Sequence, residues 1–160
     1  MLRVRPIHHG ASGAVVKYLT EYLTEAIGEP AGRWAGRQAA ALGLAAEVDA
    51  EHLQAILDGI HPLTAVTLGS PFTTRERANG KKVSSVIGFD AAFSAPKTLS
   101  ILWALSGDDG FAECHDIAVQ SAVDAIESRA ATTRVRSNGS RMFLDSEGLT
   151  AAVFRQSTSR

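Results

Sequence analysis

Val83-Ser84-Ser85-Val86-Ile87-Gly88-Phe89-Asp90-Ala91-Ala92-Phe93 is the stretch that decides the fold. Its odd positions carry Val83, Ile87, Phe89, Ala91 and Phe93, interrupted only by Ser85. Its even positions carry Ser84, Val86, Gly88, Asp90 and Ala92. A period of two means a strand, because successive side chains of extended backbone point to opposite faces. One face is apolar enough to pack on helices. The other is small and polar apart from Val86, as a surface facing a site would be, and Asp90 stands on it. Asn79-Gly80 ahead of the strand is a hairpin-type turn signal. Behind it, Ser94-Ala95-Pro96-Lys97 starts a helix, with Pro96 suited to the first helical position and Ser94 or Ala95 as the cap. Leu99, Leu102, Trp103 and Leu105 supply its apolar positions, and Gly107-Asp108-Asp109-Gly110 ends it.

Further along, residues 111–131 read as a long amphipathic helix striped by Val119, Ala122 and Ile126, with Ile117 and Val123 alongside. Arg141-Met142-Phe143-Leu144 follows a turn at Asn138-Gly139 as a strand, and residues 149–156 read as another. Toward the N-terminus, residues 2–7 form a short strand closed by Pro6. Residues 14–27 are helical, with Val15, Tyr18, Leu19, Tyr22, Leu23 and Ala26 on one side; Tyr18 and Tyr22, four apart, share a face. Residues 34–42 read as a short alanine-rich helix stopped by Gly43. A second short helix is capped by Asp49, striped by Leu53, Ile56 and Leu57, and stopped by Gly59. This order predicts an α+β fold, helices packed on one face of a mostly antiparallel sheet.

The chain has 160 residues, which supports one domain over 1–160. Its 16 basic and 17 acidic residues give a net charge of -1, so bulk charge does not argue for nucleic acid and any such contact must come from a local patch. Arg3, Arg5, Arg75, Arg77, Lys81 and Lys82 are the candidates for one. The single cysteine, Cys114, excludes a disulfide framework and reads as a small packed side chain. No apolar run approaches the roughly 20 residues of a membrane span, and no apolar core follows the N-terminal arginines. A cytoplasmic chain without membrane insertion is expected.

The run from Gly88 to Leu105, Gly-Phe-Asp-Ala-Ala-Phe-Ser-Ala-Pro-Lys-Thr-Leu-Ser-Ile-Leu-Trp-Ala-Leu, closely resembles the signature of MobF-class conjugative relaxases, the TrwC and TraI type. Gly28-Glu29-Pro30-Ala31-Gly32-Arg33-Trp34 with Ala41-Leu42-Gly43-Leu44 is similar to the family's region after its tyrosines. Residues 148–160 are similar to its F-R-H-x-T-S-R strand. The resemblance implies a relaxase/Rep-like palm of antiparallel strands with helices behind it. It implies an enzyme that nicks and rejoins single-stranded DNA at a transfer origin. A tyrosine hydroxyl attacks the phosphodiester, leaving a 5′-phosphotyrosyl link and a free 3′-hydroxyl. A divalent ion such as Mg or Mn, held by three histidines, polarises the phosphate. Accessory relaxosome and coupling proteins are the implied partners.

Carried over by position, Asp90 matches the family aspartate that orients a metal-ligating histidine or assists tyrosine deprotonation. The nucleophile falls on Tyr18 or Tyr22, the only tyrosines; the distance from the N-terminus favours Tyr18. Lys97, Arg155 and Arg160 are the DNA-binding candidates, Lys97 in the first turn of a helix where N–H groups favour an anion. Gln156 stands where the family has a metal-ligating histidine, and an amide oxygen is a weaker ligand than imidazole. The family's His-x-His motif follows the T-S-R segment, and none of His8, His9, His52, His61 and His115 has its position. The expectation is a relaxase domain incomplete at its C-terminus, with little metal-dependent nicking by this polypeptide alone. The alternatives are a non-catalytic single-stranded-DNA-binding module derived from a relaxase, and a remnant with no DNA role.

Overall fold

The computed structural model describes residues 1–10, 13–14, 17–18, 30–45, 47–137 and 140–156. Among these the strands are β1 (Leu2–His8), β2 (Arg33–Ala35), β3 (Thr74–Glu76), β4 (Lys82–Ser84), β5 (Val86–Phe93), β6 (Thr132–Ser137), β7 (Ser140–Asp145) and β8 (Ala151–Val153). The helices are α1 (Arg37–Ala41), α2 (Ala50–Leu57), α3 (Lys97–Ser106) and α4 (Gly110–Ala130). The expected α+β class is the one observed. The strands pair two by two as β1–β5, β2–β8, β3–β4 and β6–β7. The chain divides into two compact units, one of residues 5–90 and 150–160, the other of residues 1–4 and 91–149.

In the first unit the core is built around α2. Asp49 caps it: one carboxylate oxygen accepts from the His52 backbone N–H at 2.8 Å, the other lies 2.6 Å from His52 Nδ1. Gly59, at φ 72, follows its end. Leu53 and Leu57 are buried with Val48 and gather Trp34, Ile87, Ala152 and Phe154. Ala39, Leu42 and Leu44 form a second cluster that shares Trp34 and adds Ile56 and Leu68. Trp34 does not start a helix, as its alanine-rich surroundings suggest. It lies in β2, paired with Ala152 of β8, and Gly36 at φ 96 then breaks the strand, so that only Arg37–Ala41 is helical. The strand expected over 149–156 is correspondingly confined to β8.

The deciding strand has one interruption, at Ser85. Its N–H and hydroxyl both donate to the Thr73 carbonyl, at 2.9 and 3.1 Å, and its hydroxyl accepts from Thr73 N–H at 3.0 Å. Its own carbonyl accepts from His9 N–H at 2.8 Å. Ser85 is therefore where the chain changes partner, from β3 before it to β1 after it. The polar residue that interrupts the apolar register is the junction itself. β1 runs through Pro6 rather than closing there.

In the second unit the other end of β1 meets β5, where Ser94 N–H donates to Met1 O at 2.8 Å. Pro96 is the cap of α3 and its carbonyl accepts from Leu99 N–H and Ser100 N–H, so the helix begins one residue later than expected. Gly107, left-handed at φ 63, ends it. α4 buries Ala112, Val119 and Val123; Ile117 and Ile126, expected on or beside its stripe, are exposed. Cys114 is also exposed, not packed. Glu127 accepts from Leu149 N–H at 2.7 Å, tying α4 to the segment after β7.

Candidate functional site

Tyr18 lies in helical backbone with Lys17 and is 49% exposed. Tyr22 and the rest of the expected helix over 19–27 fall outside the described residues, as does Arg160. Asp90 lies in β5, exposed. Phe89 beside it is 67% exposed, so the face expected to be apolar and covered is open at that position. The reason lies in the sequence's limits: alternation assigns residues to faces but does not say which face is covered.

Arg155 and Gln156 follow β8 directly. They are set by Phe154, whose ring packs on the Val48, Leu53 and Leu57 cluster and against Gly32. Arg155 is half-buried and Gln156 exposed. Tyr18, Asp90, Arg155 and Gln156 thus belong to one unit, residues 5–90 with 150–160. Lys97 belongs to the other, exposed at the first residue of α3. Among the described residues no three His, Cys, Asp or Glu side chains group to hold a metal ion. The described donors do not by themselves make a metal centre. No helix among them is long and apolar enough to cross a membrane.

The expected basic patch is partly a ribbon. Arg75 pairs with Val83 and Glu76 with Lys82 across β3 and β4, and the Thr74 and Ser84 hydroxyls meet at 3.0 Å. The turn is set by Arg77 N–H on Lys81 O at 2.9 Å, Lys81 N–H on Asn79 Oδ1 at 3.1 Å, and Gly80 at φ 75. This is the Asn-Gly signal realised. It presents Arg75, Arg77, Lys81 and Lys82 on exposed backbone with Glu76 as the one acid. Such a two-stranded ribbon is a shape that DNA grooves admit.

This α+β arrangement of paired antiparallel strands is the one found in the relaxase structures that the chain resembles. The sequence model of the TrwC relaxase family matches residues 8–160, and the chain belongs to that family. It is 32% identical over 119 residues to a multifunctional conjugation protein TraI of Escherichia coli, covering 74% of this chain and 6% of that one. A TraI of Escherichia coli strain K12 is 34% identical over 123 residues, with the same shares. Among solved structures it is similar to the conjugative relaxase TrwC in complex with OriT DNA, metal-free, with TM-score 0.76 and 27% identity over 100% of this chain and 51% of that one. The metal-bound TrwC complex with OriT DNA gives TM-score 0.76 and 26% identity, over 99% and 52%. The chain therefore spans about half of the TrwC chains and a small fraction of the TraI relatives.

Proposed function

We propose that this chain is the nucleophile-bearing part of a DNA relaxase that nicks and rejoins single-stranded DNA at a transfer origin. The two compact units are then parts of one relaxase domain. The observation that carries the reading is the family match over residues 8–160, joined to the likeness to TrwC bound to OriT DNA.

In this reading the Tyr18 hydroxyl attacks the scissile phosphorus. The bond from phosphorus to the departing 3′ oxygen breaks, and that oxygen takes up a proton to leave as a hydroxyl. The tyrosine proton passes to Asp90 or to water. A phosphodiester is exchanged for a phosphotyrosyl diester, so bond energy is kept and the 3′-hydroxyl can reverse the step. Lys97, Arg155 and Arg160 hold flanking phosphates, Lys97 at a helix start that favours anions. In the complete family site a divalent ion such as Mg or Mn supplies charge stabilisation at the phosphate. The described residues do not assemble a donor set for it. Relaxosome and coupling proteins are the partners this role calls for. The second reading, a non-catalytic module that binds single-stranded DNA, is favoured by Gln156, where the family carries a histidine ligand.

The test uses a pool of 3′-fluorescein-labelled single-stranded oligonucleotides of randomised sequence, incubated with the chain and Mg or Mn and run on a denaturing gel. A faint covalent protein–DNA band is expected, absent in Tyr18→Phe and retained in Tyr22→Phe. A band that persists in the double Tyr→Phe variant overturns the tyrosine mechanism. Binding without any band supports the second reading.

A further inference from the structure

The ribbon of β6 and β7 is longer than that of β3 and β4. Six residue pairs run from Thr132↔Asp145 to Ser137↔Ser140, a ladder about 20 Å long. Strand alternation places Thr133, Val135 and Ser137 with Ser140, Met142 and Leu144 on one face. The other face carries register positions Thr132, Arg134 and Arg136 opposite Asp145, Phe143 and Arg141. The first face carries three apolar residues, Val135, Met142 and Leu144, and three hydroxyl residues. The second holds three arginines, an aromatic residue that is 71% exposed, and a single acid at the far end.

Two features of this second face are costly for folding alone. Arg136 stands directly across from Arg141, and like charges at such a position repel. Phe143 opens a ring to water without covering any core. Both features are accounted for by one occupant. Anionic oxygens spaced along a strand relieve the arginine pair, and an unpaired base gives the phenyl ring a flat apolar partner. Stacking of this kind does not depend on base identity.

We propose that the arginine face of the β6–β7 ribbon is a binding surface for single-stranded DNA, in which the arginine positions meet phosphates and Phe143 stacks on a base. The proposal rests on the relaxase reading in taking DNA as the ligand, but it concerns residues other than Tyr18, Asp90 and those of the β3–β4 ribbon.

The experiment measures binding of the whole chain to fluorescein-labelled oligo(dT), and to a duplex of random sequence, by anisotropy across a salt series. The Arg136→Ser/Arg141→Ser double variant is expected to weaken oligo(dT) binding and to flatten the log–log salt slope by about 1.4, roughly 0.7 for each lost phosphate contact. Phe143→Ser is expected to weaken it about 5- to 100-fold. The Arg136→Lys/Arg141→Lys variant keeps the charge and is expected to retain most of the slope. The melting temperature of the Ser double variant is not expected to fall, because the repelling pair is gone; this separates lost binding from lost folding. Unchanged oligo(dT) affinity in the ribbon variants, alongside a loss in Arg75→Ser/Lys82→Ser, overturns the proposal and leaves the relaxase reading standing. An arginine effect on duplex with none from Phe143→Ser on oligo(dT) also overturns it. If the unaltered chain binds no DNA at all, the relaxase reading itself falls.

Discussion

Gly32→Ala tests how the backbone at Gly32 and the ring of Phe154 pack on each other. Gly32 is buried, and a Cβ added there would lie 2.5 Å from Phe154 Cδ1 and 3.1 Å from Cζ. The backbone cannot easily yield, since Gly32 O accepts from Val48 N–H at 2.8 Å and Val48 belongs to the buried cluster. The ring must move instead, and it is packed against that same cluster. Overpacking of this kind costs about 1–3 kcal/mol. Gly32 has no positive φ, so alanine recovers roughly 0.4–1 kcal/mol through the unfolded chain. The net loss is about 1–2 kcal/mol, a fall in melting midpoint of about 2–8 °C for a chain of this size. Circular-dichroism melts of Gly32→Ala, Phe154→Leu and the double variant form the assay. The double variant is expected to be more stable than the sum of the singles predicts, by about 0.5–3 kcal/mol, because leucine frees the space that the methyl needs. A Gly32→Ala chain that melts at or above the unaltered chain, or a cycle that is strictly additive, would refute the reasoning.

Two smaller predictions concern helix ends. Asp49→Ala removes the acceptor for His52 N–H and is expected to cost about 1 kcal/mol in a chemical melt, with Asp49→Asn retaining most of it; equal losses in both variants would deny the cap its role. Gly107→Ala places a Cβ on backbone at φ 63 and is expected to cost about 1 kcal/mol, read as a lower denaturant midpoint at unchanged slope.

What the sequence made legible was local. Asp49 and Gly59 bracket α2, Gly107 stops α3, and Asn79-Gly80 makes the β3–β4 turn, because each signal acts through backbone within a few residues. Trp34 was misread because its fate depends on β8, more than a hundred residues away, and an alanine-rich neighbourhood says helix. Ser85 was visible as an interruption, but its meaning requires knowing that Thr73 and His9 lie on either side of it. The candidate site was legible mainly through resemblance. Its chemistry-bearing residues sit in a strand, a helix and the end of another strand, with no short spacing that would mark them from the residues alone. The alternation Arg134-x-Arg136 was also in plain view; only the register against Arg141 and Phe143 turns it into a surface.

The same point resolves the apparent conflict between a DNA-binding family and a net charge of -1. The charge is a sum over stretches of opposite sign along the sequence. Residues 98–128, spanning most of α3 and α4, contain six carboxylates and no Lys or Arg. The β3–β4 hairpin, residues 73–85, carries four basic residues and one acid, and the β6–β7 ribbon carries three arginines and one aspartate. Phosphate attraction falls off over about 10 Å at moderate salt, so a DNA strand responds mainly to the charges it touches. Under the proposed DNA role, the salt dependence of binding is expected to follow the ribbons, and the total charge does not predict it.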